Sequence, residues 1–234
     1  MSRRFLAIDT ATEACSAALW CDGTICERYE VAGREHTQRL MPQVSALMAE
    51  AGVSFSQLDG IACGIGPGSF AGVRIGVGMV KGLALALDRP VVGVSSLAML
   101  ALRAVRERQA QTVLAVIDAR MNEVYWGLYR RSADGLVERI QPECVCAPEA
   151  VSLQETGTVV GVGSGWAAYR DVLQRAVAVG DCLPEALPHA EDALHLALPQ
   201  FDAGAGISAD ALLPSYLRDK VALKLDEQAA LRKR

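Results

Sequence analysis

Apolar runs and polar turns alternate quickly over the first thirty residues. Phe5-Leu6-Ala7-Ile8 ends at Asp9, Thr10 to Glu13 is polar, and Cys15 to Trp20 is apolar again. Asp22-Gly23 is a two-residue hairpin signal, and Thr24 to Val31 follows it. The pattern predicts three antiparallel strands. Leu40, Met41, Val44, Leu47, Met48 and Ala51 then share one stripe at helical period, closed by Gly52 in the C′ position. Pro42 falls in the first turn of this helix or kinks it.

Leu58 to Ile65 reads as a strand leading into Gly66-Pro67-Gly68-Ser69, a tight turn with Ser69 as helix N-cap. The helix from Phe70 to about Leu87 carries two apolar stripes. One is Val73, Val77, Val80, Ala84 and Leu87; the other is Ile75, Met79 and Ala86. A helix apolar on more than one side is buried on more than one side. Gly72 and Gly76 are four apart, as are Gly78 and Gly82, a spacing that admits a second backbone. Val91 to Val94 is a further strand, and Ser95-Ser96 caps a helix running to about Arg108.

A second unit opens near Gln111. Thr112 to Ile117 is an apolar strand ending at Asp118, Ala119 to Asn122 is a turn, and Val124 to Tyr129 returns. Leu114-Ala115-Val116-Ile117-Asp118 repeats the logic of Leu6-Ala7-Ile8-Asp9, which suggests duplication. A strand at Thr158–Val162, a Gly163-Ser164-Gly165 turn and a helix from Trp166 to about Val179 follow. Strand triplets followed by helices imply two α/β units rather than one doubly wound sheet.

Composition narrows the class. The chain has 234 residues, 51% hydrophobic and 21% charged, with mean hydropathy +0.22. That excludes a mainly disordered or fibrous chain. Aromatic residues are 5%, which argues against a stacking platform for single-stranded bases, and a net charge of -4 argues against a free-standing nucleic-acid binder. The N-terminus lacks a signal peptide's continuous apolar region. Phe70 to Leu87 is the most membrane-like run, but Arg74 and Lys81 inside it would each cost about 2.5–3.5 kcal/mol, so no membrane span is expected. Seven cysteines without a CxxC pair read as buried reduced thiols of a cytoplasmic protein.

Candidate chemistry is sparse. Gly64 to Ser69 and Gly161 to Gly165 both join a strand to a helix, where N-termini favour anions, yet neither is a Walker A loop. The first reads as a structural turn; the second is either a structural turn too or a weak nucleotide contact. His189 and His195 are spaced wrongly for two ligands on one helical face, and His36 opens the first helix. Asp9 and Asp118 stand at strand ends, where α/β sheets hold ligands. Each either acts on a metal-bound nucleotide or caps its own turn.

Five blocks in order carry a resemblance: Asp9-Thr10-Ala11-Thr12; His36-Thr37 through Leu40-Met41-Pro42; Gly64-Ile65-Gly66-Pro67-Gly68-Ser69-Phe70 with Gly72-Val73-Arg74-Ile75-Gly76; Asp118-Ala119-Arg120 with Glu123-Val124-Tyr125; and Pro214-Ser215-Tyr216-Leu217-Arg218. Together they resemble the TsaB (YeaZ) family over nearly the whole chain. The resemblance implies an actin/hexokinase-like (ASKHA) duplicated α/β fold, with two related subdomains of mixed sheets and flanking helices. The first would span residues 1–104, with about 208–222 packing back on it; the second 105–207; and 223–234 would be a basic tail. It also implies a non-catalytic, cytoplasmic subunit of the complex that makes N6-threonylcarbamoyladenosine at position 37 of ANN-decoding tRNAs. Such a subunit scaffolds the catalytic TsaD with the ATPase TsaE, and pairs with itself when alone. It has no cofactor of its own, ATP and a metal ion acting in the partner subunits, and it meets tRNA through the complex. Ser96 and Leu100 stand where TsaD-type proteins carry a metal-binding histidine pair. The alternative is an active nucleotide-dependent kinase or hydrolase, or a metallopeptidase, of the same fold.

Two sets of site residues follow. Thr10, Thr12 and Gly163 are the weak nucleotide-binding candidates. The first two helices are the expected partner surface, through Leu40, Met41, Val44, Met48, Gly72, Val73, Arg74, Gly76, Val77, Val80 and Lys81; the alternative is that these residues form a tightly packed core. No catalytic or metal-ligating residue is expected. The end of the chain, from Arg218 to Arg234, holds six cations against three acids, a local exception to the acidic balance.

Overall fold

Asp22 and Gly23 both adopt positive φ, as a two-residue hairpin matched to strand twist requires. They join β2 (Ala14–Cys21) to β3 (Thr24–Val31), and β2 also pairs antiparallel with β1 (Arg4–Asp9). A computed structural model describes residues 3–154 and 157–218 of the chain. Helix α1 (His36–Glu50) follows, with Gly52 left-handed just beyond it and Pro42 in its second turn. Strand β4 (Gly60–Gly66) lies parallel to β1, and β5 (Val91–Ser95) lies parallel to β4, separated by α2 (Phe70–Leu87). The sheet order is β3-β2-β1-β4-β5.

The second half repeats this plan. β6 (Thr112–Arg120), β7 (Glu123–Arg131) and β8 (Val137–Cys146) are antiparallel neighbours. β9 (Val159–Val162) runs parallel to β6, and β10 (Val179–Leu183) parallel to β9, with α4 (Ser164–Ala176) between them. The order β8-β7-β6-β9-β10 matches the first sheet strand for strand. The fold is thus a duplicated α/β arrangement of two mixed sheets with flanking helices. Where the first unit has α1, the second has only a 3₁₀ turn, Pro148–Ala150.

The two units exchange their closing helices. α3 (Ser96–Arg108), capped by the Ser95 hydroxyl, buries Leu100, Ala104 and Val105 with Val113, Ala115 and Val162 of the second sheet. α5 (Ala190–Asp202) buries Ala193, Leu194 and Ala197 with Phe5, Ala7 and Val92 of the first. Residues 190–202, assigned by the sequence to the second unit, thus pack on the first sheet. Between the two helices Asp192 is fully buried, 2.9 Å from Arg103 Nε and 2.6 Å from Arg106 Nη1. Burial raises its pKa and the two guanidinium groups oppose the rise. The chain then returns to the first unit: Val91 and Ile207 exchange backbone hydrogen bonds, and the Ser215 amide donates to the Ile65 carbonyl at 2.8 Å. The basic tail, with Asp219 to Arg234, lies outside the described residues.

Candidate functional site

The glycine-rich block folds against the β1–β2 turn. Ser69 N donates to the Ala11 carbonyl at 2.7 Å, and Thr10 Oγ1 donates to the Gly72 carbonyl at 2.7 Å. A Cβ at Gly68 would stand 2.1 Å from the Ala11 carbonyl oxygen, and one at Gly72 2.1 Å from that of Thr10. At Gly76 it would meet Thr10 Oγ1 at 2.7 Å. These glycines let α2 lie on its own hairpin, so the close approach that the sequence assigned to a partner at Gly72 and Gly76 is made within the chain. His36 bolts α1 to the same hairpin: its Nε2 lies 2.9 Å from the Thr12 carbonyl oxygen and 3.2 Å from that of Ala14. Both are acceptors, so Nε2 carries the proton.

The outward side of α2 is different. Nothing lies within 4 Å of a Cβ added at Gly78 or Gly82. Ala71, Gly78, Gly82, Leu85 and Ala86 are exposed and follow one stripe, with Leu85 70% exposed. Arg74, also exposed, stands three residues after Ala71 and four before Gly78 and puts one charge along an edge of that stripe. Among the described residues, α2 is also the one helix long and apolar enough to cross a membrane by length and composition. Its inner side, however, is built into the first unit's core.

Most of the residues expected to meet a partner are that core. Leu40, Val44, Met48, Val73, Val77 and Val80 pack together on the first sheet, and Val77 is only 4% exposed. Met41 is half-buried. Arg74 and Lys81 are committed to the returning chain: Arg74 Nε donates to Tyr216 Oη at 2.9 Å, and Lys81 Nζ to the Asp210 carbonyl at 3.2 Å. Both stripes of α2 are apolar, so periodicity alone could not say which faced inward. Of the exposed residues, Gly78 and Gly82 were read as admitting a second backbone and Ala86 as part of the second stripe, whereas Ala71 and Leu85 were not singled out.

Between the units lies a cleft of about 900 Å³, walled by the first turns of α2 and α4, the β1–β2 and β6–β7 turns and residues 215–218. Of the nucleotide candidates, Thr12 alone lines it, and its Oγ1 accepts the Ala14 amide at 3.3 Å. Thr10 is fully buried with its hydroxyl used on Gly72. Gly163 is the N-cap of α4 at φ 100°, where a Cβ would stand 2.5 Å from the Val116 carbonyl oxygen. The structure therefore removes Thr10 and Gly163 from the cleft surface.

The two strand-end aspartates differ. Asp118 sits on the cleft wall and caps its own turn, accepting from Arg120 N and Arg120 Nη1, both at 2.8 Å. Asp9 is fully buried; one oxygen accepts Ala11 N at 3.4 Å and the other has no hydrogen-bond partner. Burial pushes its carboxyl up to about 7, against the pull of the Ala11 amide. Ser96 and Leu100 are both in the core. Among the described residues, no three His, Cys, Asp or Glu side chains cluster as a metal site would.

Comparison with known proteins agrees with this architecture. Residues 30–224 match the family described as TsaD, tRNA N6-adenosine threonylcarbamoyltransferase. The tRNA threonylcarbamoyladenosine biosynthesis protein TsaB of Escherichia coli is 45% identical, over 94% of this chain and 97% of that one. Its Haemophilus influenzae namesake is 40% identical, over 94% and 95%. The solved structure of YeaZ from Pseudomonas aeruginosa superposes with TM-score 0.86 at 48% identity, covering 92% of this chain and 100% of that one. By sequence along nearly its whole length, and by fold, the chain belongs to the TsaB (YeaZ) family.

Proposed function

We propose that this chain is a non-catalytic subunit in the biosynthesis of threonylcarbamoyladenosine in tRNA, and that it holds a TsaD-type catalytic subunit on the outward face of α2. The observation that carries the reading is the exposed small and apolar stripe of Ala71, Gly78, Gly82, Leu85 and Ala86, with Arg74 at its edge, on a helix whose other side is core. Glycines four apart let a second helix approach at backbone distance, and a partner of the same duplicated fold would bring a matching helix. Alone, the chain would satisfy the face with a second copy, in a two-fold dimer. The family resemblance supplies the rest of the reading: a TsaE-type ATPase joins the pair, ATP and metal act in the partner subunits, and tRNA is met by the assembly in the cytoplasm. The site's chemistry fits a supporting role. Asp118 is tied to its own turn, Asp9 is sealed off, and Ser96 and Leu100, which the family resemblance sets where a TsaD-type protein has its metal ligands, are buried in the core.

The test is reconstitution. Threonylcarbamoylated tRNA is measured with the TsaD-type and TsaE-type partners, the threonylcarbamoyl donor and either this chain or its Leu85→Glu variant. Product forms with the wild type and falls at least about tenfold with the variant, as burying one unpaired charge in an interface demands. Wild-type yield from the variant, or ATP or peptide turnover by the purified chain alone, overturns the reading.

A further inference from the structure

The units meet in two very different ways. On one side α3 and α5 cross between them with apolar cores and the buried Arg103–Asp192–Arg106 cluster. On the other side is the mouth of the cleft, where the ties are few. Arg120 reaches Glu13 at 3.5 Å, with the two side chains 75% and 51% exposed, a geometry that contributes little. The second tie is made by the C-terminal segment. It is anchored to the first unit by Ser215 N on the Ile65 carbonyl and by Tyr216 beside Arg74 and Phe70. Two residues on, Arg218 crosses to the second unit. Its Nη2 donates to the Ala119 carbonyl at 3.1 Å and pairs with Glu123; its Nη1 lies 3.6 Å from Met121 Sδ. The guanidinium is mostly buried, so this pair is screened far less than Arg120–Glu13.

The turn that Arg218 grips is unusual. Arg120, Met121 and Asn122 all have positive φ, between 56° and 60°, and none is glycine. Such a turn persists where its surroundings hold it. At its other end the same segment borders the open stripe of α2, because Arg74 and Lys81 flank that stripe and both bind residues 210–216.

We propose that residues 213–218 are a latch across the cleft mouth, with Arg218 as its bolt, and that docking on the α2 face is transmitted through Arg74 and Tyr216 to the β6–β7 turn. The α3–α5 side acts as the hinge. The latch itself stands on the geometry of the free chain; its response to docking rests on the α2-face reading above.

Amide hydrogen exchange tests both halves. In the free full-length chain, Arg218→Ala speeds exchange over 117–125 by roughly tenfold, the loss expected of a charge-assisted hydrogen bond, and leaves α3 and α5 unchanged. Glu123→Gln, made on the other side of the contact, acts in the same direction. Addition of the TsaD-type partner slows exchange over 117–125 in the wild type and not in Arg218→Ala. Unchanged exchange in both free variants overturns the latch. Equal protection by the partner in Arg218→Ala overturns the transmission. If Leu85→Glu still binds the partner while Arg218→Ala opens the free chain, the docking face is wrong and the latch stands.

Discussion

Asp9 shows how far one side chain's setting can depart from its sequence neighbourhood. Asp9 ends β1, whereas Asp118 lies two residues before the end of the equivalent strand β6, which runs on to Arg120; both positions were visible in the pattern of the chain. What separates them comes from distant elements. Gly64 lies so close to Asp9 that a Cβ there would stand 1.8 Å from Oδ1, and no stretch of local sequence reports that lid. The consequence is a pH dependence. An unfolded aspartate ionises near 3.8, whereas burial holds the native carboxyl protonated up to about 7. Between those values the native state binds the extra proton, so stability falls as pH rises, by about 1.4 kcal/mol per pH unit for this one group, and levels off above pH 7. Asp9→Asn removes that slope. Urea midpoints measured from pH 5 to pH 8 should decline less in the variant than in the wild type. An identical decline means that Asp9 is ionised in the native state. Of the seven cysteines read as buried thiols, Cys15 and Cys63 are in the core, where burial raises both, Cys15 to about 12; Cys21, Cys144, Cys146 and Cys182 are half-buried and Cys26 on β3 is exposed.

Among the elements, α2 carries most of the account. Its boundaries, its Ser69 cap and its two apolar stripes were legible, because cap chemistry and period are local. Its orientation was not. Gly72 and Gly76 look like Gly78 and Gly82 in sequence, yet the first pair is pressed on Thr10 and the second is open. The two pairs therefore answer differently to the same substitution. Gly82→Ala restores helix propensity with nothing to collide with and should stabilise the free chain by up to about 1 kcal/mol. Gly76→Ala drives a methyl into Thr10 and should destabilise it. Thermal melts of the two variants moving in the same direction would contradict this arrangement. Elements whose pattern is weak were missed altogether. β8 is an edge strand with Pro142 and little alternation, β10 is short and contains Gly180 and Asp181, and α5 carries Pro199 inside it.

At the level of the whole molecule, duplication was legible as two strand-turn-strand openings, and the matched sheet orders are its full expression. The exchange of α3 and α5 between the units was not legible, since each helix is amphipathic whichever sheet it covers. That exchange makes the two halves one body on the hinge side and leaves the cleft mouth to a few polar ties. The second unit has a 3₁₀ turn where the first has α1, so the α1–α2 pair occurs in one unit and gives the molecule a distinguishable docking side. The most direct measurement of that side is the dissociation constant of the complex with a TsaD-type partner, titrated for the wild type, Leu85→Glu and Arg139→Glu, the last on strand β8 of the second unit. Leu85→Glu weakens binding at least about a hundredfold, roughly 2.7 kcal/mol, while Arg139→Glu leaves it unchanged. Equal affinity for Leu85→Glu and the wild type would place the partner elsewhere and contradict the account.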